Sequence, residues 1–273
     1  MTPSNAPRAD LDFDIREFTK TARGNWRPDL DLSGFADAPL GADALRLVRH
    51  LGRLESATME NLRNLLVTAT HKDTRVTAFL VTWAFEKYWL ADALDAVLEA
   101  HGEPRNRDLP EGPPRHAASE AVERRGPITR ALQAITVGSP IVAVHTTTGA
   151  VDEWVLGAAY DRLDELGAHP TLATVVDRVR AVKARHELFF ASEADWRLRD
   201  SSRSVKMTRA SLTTAVWPVG AVERADTERT FFDATVFGGA GGHVRADRVG
   251  ALVAALPGMD ASVGATVTRK LTA

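Results

Sequence analysis

Four long segments of the chain carry apolar residues every three or four positions, and this spacing predicts amphipathic helices. The first runs from Ala42 to about Thr70, and the second from about Asp73 to His101. The third starts at Ser139-Pro140 and ends at Gly167, and the fourth starts at His169-Pro170 and continues past Arg197. Helices of roughly 28 residues are longer than the usual globular helix and are typical of an antiparallel bundle.

A long connection separates the two pairs of predicted helices. Its residues, from Glu103 to about Pro127, include several prolines and many charges but no metal or phosphate motif. Two helical hairpins joined by one long crossover form the ferritin-like type of four-helix bundle. The sequence therefore predicts an all-α fold in which residues 41–203 form such a bundle.

The two ends of the chain differ from this central region. Residues 1–40 are rich in proline, aspartate, arginine and glycine with isolated aromatic residues, which predicts an extended N-terminal arm laid over the bundle. Residues 204–273 predict a C-terminal extension with shorter helices at 212–219, 231–237 and 249–256. The glycines between Gly238 and Gly242 fail the spacing of a phosphate loop and predict a flexible turn.

Composition narrows the classes of function. A net charge of -2 gives no electrostatic attraction to nucleic acid, and the absence of cysteine excludes disulfides, thiolate metal sites and cysteine nucleophiles. The segment Met1 to Phe13 lacks the apolar core of a signal peptide, and no later segment predicts a membrane span. We therefore expect a cytoplasmic protein without a nucleic-acid partner.

Three motifs on the predicted helices resemble one known superfamily. The second helix contains Trp83-Ala-Phe-Glu-Lys-Tyr-Trp-Leu, the third contains Glu153 followed by Tyr160, and the fourth contains Val182-Lys-Ala-Arg-His-Glu-Leu-Phe-Phe. In order and spacing they resemble the ferritin-like di-iron bundles related to acyl-carrier-protein desaturases and ribonucleotide reductase. The resemblance covers roughly residues 40–205, about 60% of the chain.

The resemblance implies six positions for ligands of a di-iron centre. In this chain they fall on Glu55, Lys87, Leu90, Glu153, Lys183 and His186. A lysine ammonium has no lone pair and leucine has no polar atom, so three of the six cannot bind a metal. If the second helix is shifted by one residue, Glu86 becomes a candidate ligand, but the histidine is still missing because its partner position is Trp89. The sequence therefore predicts a degenerate, metal-free site.

Charge balance indicates what would replace the metal. Glu55 and Glu153 could be buried at low cost only beside cations, and two ammonium groups restore neutrality. We therefore predict a buried salt-bridge cluster in which these carboxylates pair with Lys87 and Lys183, with His186 hydrogen-bonded to the same cluster. In the competing interpretation the lysines and glutamates lie on the helix surfaces and His186 is an ordinary core residue.

Two classes of function follow from this pattern. The first is a metal-free ferritin-like protein without a cofactor, which works as a binding, scaffold or partner protein. The second is a non-haem oxidoreductase, oxygenase-like or desaturase-like, that retains iron or manganese through Glu86, Glu153, His186 and Glu187 and acts on an organic or acyl substrate. Tyr160 is a further candidate in either case.

The sequence also leaves a third chemistry and the partners open. A desolvated lysine could act as a base or an amine nucleophile without a metal. We expect a homodimer that pairs through helix faces, and an apolar small molecule or acyl chain is the predicted class of ligand.

Overall fold

The computed structural model describes residues 13–108, 138, 140–219 and 226–273. Within these ranges every regular element is a helix, which confirms the predicted all-α fold. The α-helices are α1 (Ile15–Lys20), α2 (Gly34–Asp37), α3 (Ala42–Ser56), α4 (Thr58–Leu66), α5 (Thr74–Ala100), α6 (Pro140–Gly167), α7 (Pro170–Arg199), α8 (Ser202–Thr214), α9 (Asp226–Phe237), α10 (Gly239–Ala255) and α11 (Ala261–Leu271). Most of the predicted crossover at 103–127 lies outside the described residues.

Local capping explains where two of the long helices begin. The Asp73 carboxylate accepts a hydrogen bond from the backbone N–H of Val76 at 3.0 Å and starts α5. His169 caps α7 in the same way, and Pro170 occupies its first turn, where a backbone N–H has no partner within the helix. These signals can be read in the sequence, and the bounds of α5 and α7 lie close to the predicted ones.

The predicted first helix is wrong in its length. It is divided at Ala57 into α3 and α4, and a short 3₁₀ turn at Ala69–Lys72 follows. Near the break, the Ser56 hydroxyl donates to the carbonyl oxygen of Arg53 at 2.9 Å, a local bond that competes with the helical backbone pattern. Apolar spacing continues across the break, so periodicity alone could not reveal it.

Four helices form the centre of the molecule. Helix α3 packs against α5 and α6, while α7 packs against α6 and α5. Gly52 of α3 faces Leu94 of α5, and Glu55, one turn later, contacts Lys87, so the two helices run antiparallel. The two-residue connection from α6 to α7 makes those helices antiparallel as well.

An aromatic cluster fills one end of this centre. Phe79 and Phe189 stack with their ring centroids 3.7 Å apart, and Phe13, Phe18 and Phe190 pack around them. Burying each of these side chains contributes about 1.5–3 kcal/mol to folding. The cluster holds α5, α7 and the N-terminal residues together beside the candidate site.

The described part of the N-terminal arm differs from the predicted extended chain because it includes α1 and α2. Asp14 caps α1 by accepting from the backbone N–H groups of Arg16 and Glu17. Further along, Arg27 binds the carboxylates of Asp92 and Glu99 on α5. Short helices and ion pairs therefore fix the arm to α5.

The C-terminal residues form helices that pack on α6 and on one another. Helix α8 ends at Thr214, so the helix predicted at 212–219 is placed too late in the chain. The glycine cluster opens α10 and does not form a flexible turn: a Cβ on Gly242 would lie 2.2 Å from the carbonyl carbon of Phe237, so glycine allows this close approach. Across the described segments, none of the helices has both the length and the apolar character that a bilayer crossing requires.

Candidate functional site

Four charged side chains meet at the centre of the helical core, one from each of α3, α5, α6 and α7. Glu55 lies in the last turn of α3, Lys87 in the middle of α5, Glu153 in the middle of α6 and Lys183 in the middle of α7. Their exposed fractions are between 0% and 5%. We call these four residues the Lys–Glu cluster.

Each ammonium group in the Lys–Glu cluster contacts both carboxylates. Lys87 Nζ lies 2.8 Å from Glu55 Oε2 and 3.4 Å from Glu153 Oε1. Lys183 Nζ lies 3.2 Å from Glu55 Oε1 and 2.6 Å from Glu153 Oε2. All four carboxylate oxygens therefore have a cationic neighbour, and the formal charges of the cluster sum to zero.

Two uncharged donors also form hydrogen bonds with the carboxylates. The Tyr160 hydroxyl donates to Glu55 Oε1 at 3.1 Å, and Trp83 Nε1 donates to Glu153 Oε1 at 3.0 Å. Burial, reinforced by the charge of Glu55, raises the pKa of Tyr160 well above its ordinary value, so the phenol stays protonated and remains a donor. Trp83 is a member of the site that was not among the positions implied by the resemblance.

The surroundings hold Glu55, Glu153 and Lys87 in their charged forms. Burial alone would raise the pKa of Glu55 and of Glu153, but the charges of Lys183 and Lys87 outweigh it and lower both values. Burial would also lower the pKa of Lys87, yet Glu153 and Glu55 raise it instead. A charged lysine is not a base or a nucleophile, so this geometry disfavours amine chemistry at Lys87.

His186 has a different partner from the one expected. Its Nε2 donates to Glu86 Oε2 at 2.8 Å, whereas its Nδ1 lies 3.9 Å from Glu153 Oε1 and makes no hydrogen bond there. Burial lowers the pKa of His186 despite the carboxylate beside it. Glu86 also accepts from the backbone N–H of Arg23 at 2.6 Å and binds the Arg185 guanidinium. Glu86 thus connects the N-terminal arm to α7.

The remaining candidates are not gathered into a metal site. Glu187 is exposed and accepts from Trp154 Nε1 at 3.0 Å, and Leu90 is a buried apolar side chain. In the part of the chain that the structure describes, no group of three or more histidine, aspartate and glutamate side chains is arranged to hold a metal. The ammonium groups of Lys87 and Lys183 lie between the carboxylates that would have to bridge two metals. These residues do not fit a di-iron centre.

Asp152 is an acidic residue of the site region that sequence reasoning missed. It is buried next to Glu153, and its Oδ1 accepts from the backbone N–H of Val219 at 2.6 Å. Burial raises its pKa to about 6, because no ammonium group contacts it directly in the described structure. The only signal in the sequence was a second acid directly before Glu153.

A surface cleft of about 270 Å³ lies next to the Lys–Glu cluster. It is enclosed by α6, α7 and α10, and Glu153, Tyr160 and Lys183 are among its lining residues. We call it the α10 cleft. The sequence predicted a helix at 249–256, but not that this helix begins at Gly239 and lines a cleft with α6 and α7.

Comparison of the chain with protein-family models, with curated proteins and with solved structures gives no match. Function therefore has to be inferred from the geometry of the site.

Proposed function

We propose that the chain is a ferritin-like bundle in which the Lys–Glu cluster replaces a di-iron centre, and that it works as a binding or scaffold protein. In a di-iron bundle two helices each supply one glutamate, and the other two each supply Glu-x-x-His. Here α3 and α6 supply the single glutamates, while α5 supplies Lys87-x-x-Leu90 and α7 supplies Lys183-x-x-His186.

The observation that supports this proposal most directly is the bridging geometry of the ammonium groups. Each lysine nitrogen contacts one oxygen of Glu55 and one of Glu153, as each metal of a carboxylate-bridged pair would. An ammonium group supplies positive charge and hydrogen-bond donors but no redox chemistry and no open coordination position. The ammonium groups therefore supply positive charge in place of the metals but do not supply their reactivity.

The energetics of buried ion pairs agree with a role other than stabilisation. A buried salt bridge is often no more stabilising than well-packed apolar residues of similar volume. Removing one of its partners, however, leaves an uncompensated charge at a cost of about 3–5 kcal/mol. The four charges therefore have to be kept or lost together, as expected if they occupy positions that once shared metal ions.

A charge-reversal experiment tests this proposal. The double variant Lys87→Glu, Lys183→Glu places four carboxylates beside His186, and it should be unstable in chelator and stabilised by a divalent metal. With manganese or ferrous iron near 100 times its dissociation constant, we expect the melting temperature of this variant to rise by at least about 5 °C. The melting temperature of the wild-type chain should not respond to the metal.

A matched control has the same change in charge at two exposed lysines, Lys72→Glu and Lys206→Glu. The proposal is wrong if the metal stabilises the wild-type chain, or if it stabilises the central double variant no more than the exposed one.

A further inference from the structure

The α10 cleft has the dimensions of a small-molecule site. Its volume of about 270 Å³ is just below the range of about 300–1,000 Å³ that small-molecule pockets usually have, so it suits a small ligand. Its lining includes Lys183 and Tyr160 of the site region and an apolar stretch of α10.

A glycine in the wall of the α10 cleft keeps this space open. Gly157 lies in the interior of α6, where glycine costs about 0.5–1 kcal/mol relative to alanine. A Cβ at this position would meet no atom within 4 Å, so close packing does not explain the glycine. By contrast, a Cβ on Gly149 of the same helix would lie 2.5 Å from Phe190.

The carboxylates that line the α10 cleft already have partners. Glu153 belongs to the Lys–Glu cluster, Asp161 pairs with Arg180 at 2.9 Å, and Glu187 accepts from a tryptophan N–H. Cationic ligands would therefore have to displace existing partners.

Two arginines of α10 have N–H donors without a hydrogen-bond partner among the described residues. Arg248 is exposed and makes no hydrogen bond or ion pair with any residue in the described ranges. Arg245 uses Nε for the Val236 carbonyl and Nη1 for Glu165, which leaves its Nη2 without a hydrogen bond among the same residues. Both side chains line the cleft.

Apolar side chains continue the same face of α10. Val249 and Leu252 follow Arg245 and Arg248 at helical spacing, and all four line the cleft. Leu252 is 36% exposed, so its apolar surface is accessible to a ligand. This face therefore offers cationic donors in one turn and apolar surface in the next.

We propose that the α10 cleft binds a small amphipathic carboxylate. Its carboxylate would pair with Arg248, since a guanidinium group matches carboxylate geometry. Its apolar body would lie against Val249 and Leu252 and fill the space beside Gly157. The inference rests on the proposed function, because it names the class of ligand that the binding protein holds.

Calorimetric titration of the full chain with octanoate tests this inference. We expect saturable binding with one site per chain, and no binding of octylammonium, which has the same tail and the opposite charge. Arg248→Ala should weaken octanoate binding roughly tenfold or more, because it removes a charge-assisted hydrogen bond. Gly157→Leu should abolish binding by filling the cleft, while the circular dichroism spectrum and the melting temperature stay close to wild type.

The matched control is Arg269→Ala, which removes an exposed arginine of α11 outside the cleft and should leave the affinity unchanged. No saturable octanoate binding, equal binding of octylammonium, or binding that neither cleft variant alters would overturn the inference. Metal loading of the Lys87, Lys183 double variant is a separate readout. Failure of octanoate to bind would therefore overturn the ligand proposal and leave the charge replacement intact. Failure of the double variant to bind metal would overturn the charge replacement and leave octanoate binding intact.

Discussion

At the scale of single residues, Lys87 shows how tightly the central charges depend on one another. Its ammonium group contacts both Glu55 and Glu153 in a fully buried setting. Lys87→Met should lower the free energy of unfolding by about 3–5 kcal/mol, because two carboxylates would then share one ammonium. Adding Glu55→Gln should restore at least about 1 kcal/mol of that loss.

Urea denaturation measures both effects, and the exposed Lys206→Met is the control, expected to change stability by less than about 0.5 kcal/mol. If Lys87→Met lowers the free energy of unfolding no more than Lys206→Met does, the charges of the Lys–Glu cluster do not depend on one another as described.

Asp152 gives a prediction about pH. Its pKa rises from the ordinary 3.8 to about 6 in the folded chain. The stability that protonated Asp152 contributes is therefore fully present below about pH 3.8 and is lost as the pH rises to about 6, where the buried side chain ionises. Asp152→Asn keeps an oxygen for the Val219 N–H and removes the ionisation. We expect it to raise the free energy of unfolding by about 1–3 kcal/mol at pH 7 and to have little effect at pH 4.

Denaturant titrations at the two pH values, with the exposed Asp247→Asn as control, check this expectation. An equal change at pH 4 and pH 7, or a loss of stability at pH 7, would contradict it.

At the scale of elements, two glycines of α6 are predicted to respond in opposite directions. Gly149→Ala should cost about 1–3 kcal/mol, because the new methyl group would collide with the buried ring of Phe190. Gly157→Ala should gain about 0.5–1 kcal/mol, since the position is open and alanine favours the helix. Each glycine variant serves as the control for the other in thermal or urea denaturation. If both variants change the free energy of unfolding in the same direction, the packing described for α6 and α7 is wrong.

The elements also show what the sequence can predict and what it cannot. Apolar spacing together with caps such as Asp73 and Pro170 was enough to place α5, α6 and α7. The break at Ala57 was not predictable, because apolar residues recur on both sides of it. The start of α10 was missed because glycine usually breaks a helix, whereas Gly238 and Gly242 serve there for close packing.

The candidate site was predictable to the extent that its chemistry is set by charge. The resemblance implied that Glu55, Lys87, Glu153 and Lys183 lie at one centre, and because buried carboxylates need cations, the lysines were predicted to pair with the glutamates. The partner of His186 could not be predicted in this way, because Glu86 and Glu153 lie on different helices and both are near its ring. Choosing between them requires the packing of α5, α6 and α7 to within about an ångström.

At the scale of the whole molecule, three structural features meet around one buried centre. The N-terminal arm is tied to α5 and α7 through Glu86, the Lys–Glu cluster joins α3, α5, α6 and α7, and the α10 cleft opens beside Lys183. We propose that the first two make a rigid, redox-inactive bundle and that the third provides its binding surface. The central claim is that ammonium groups occupy the place of metals.

Iron content after loading tests that claim most directly. The full chain would be incubated anaerobically with excess ferrous iron, desalted, and measured by mass spectrometry for iron bound per chain. Because the lysines supply no lone pairs to a metal, we predict fewer than about 0.1 iron atoms per chain. Retention of about two iron atoms per chain, as in a di-iron bundle, would contradict the replacement of metal by lysine.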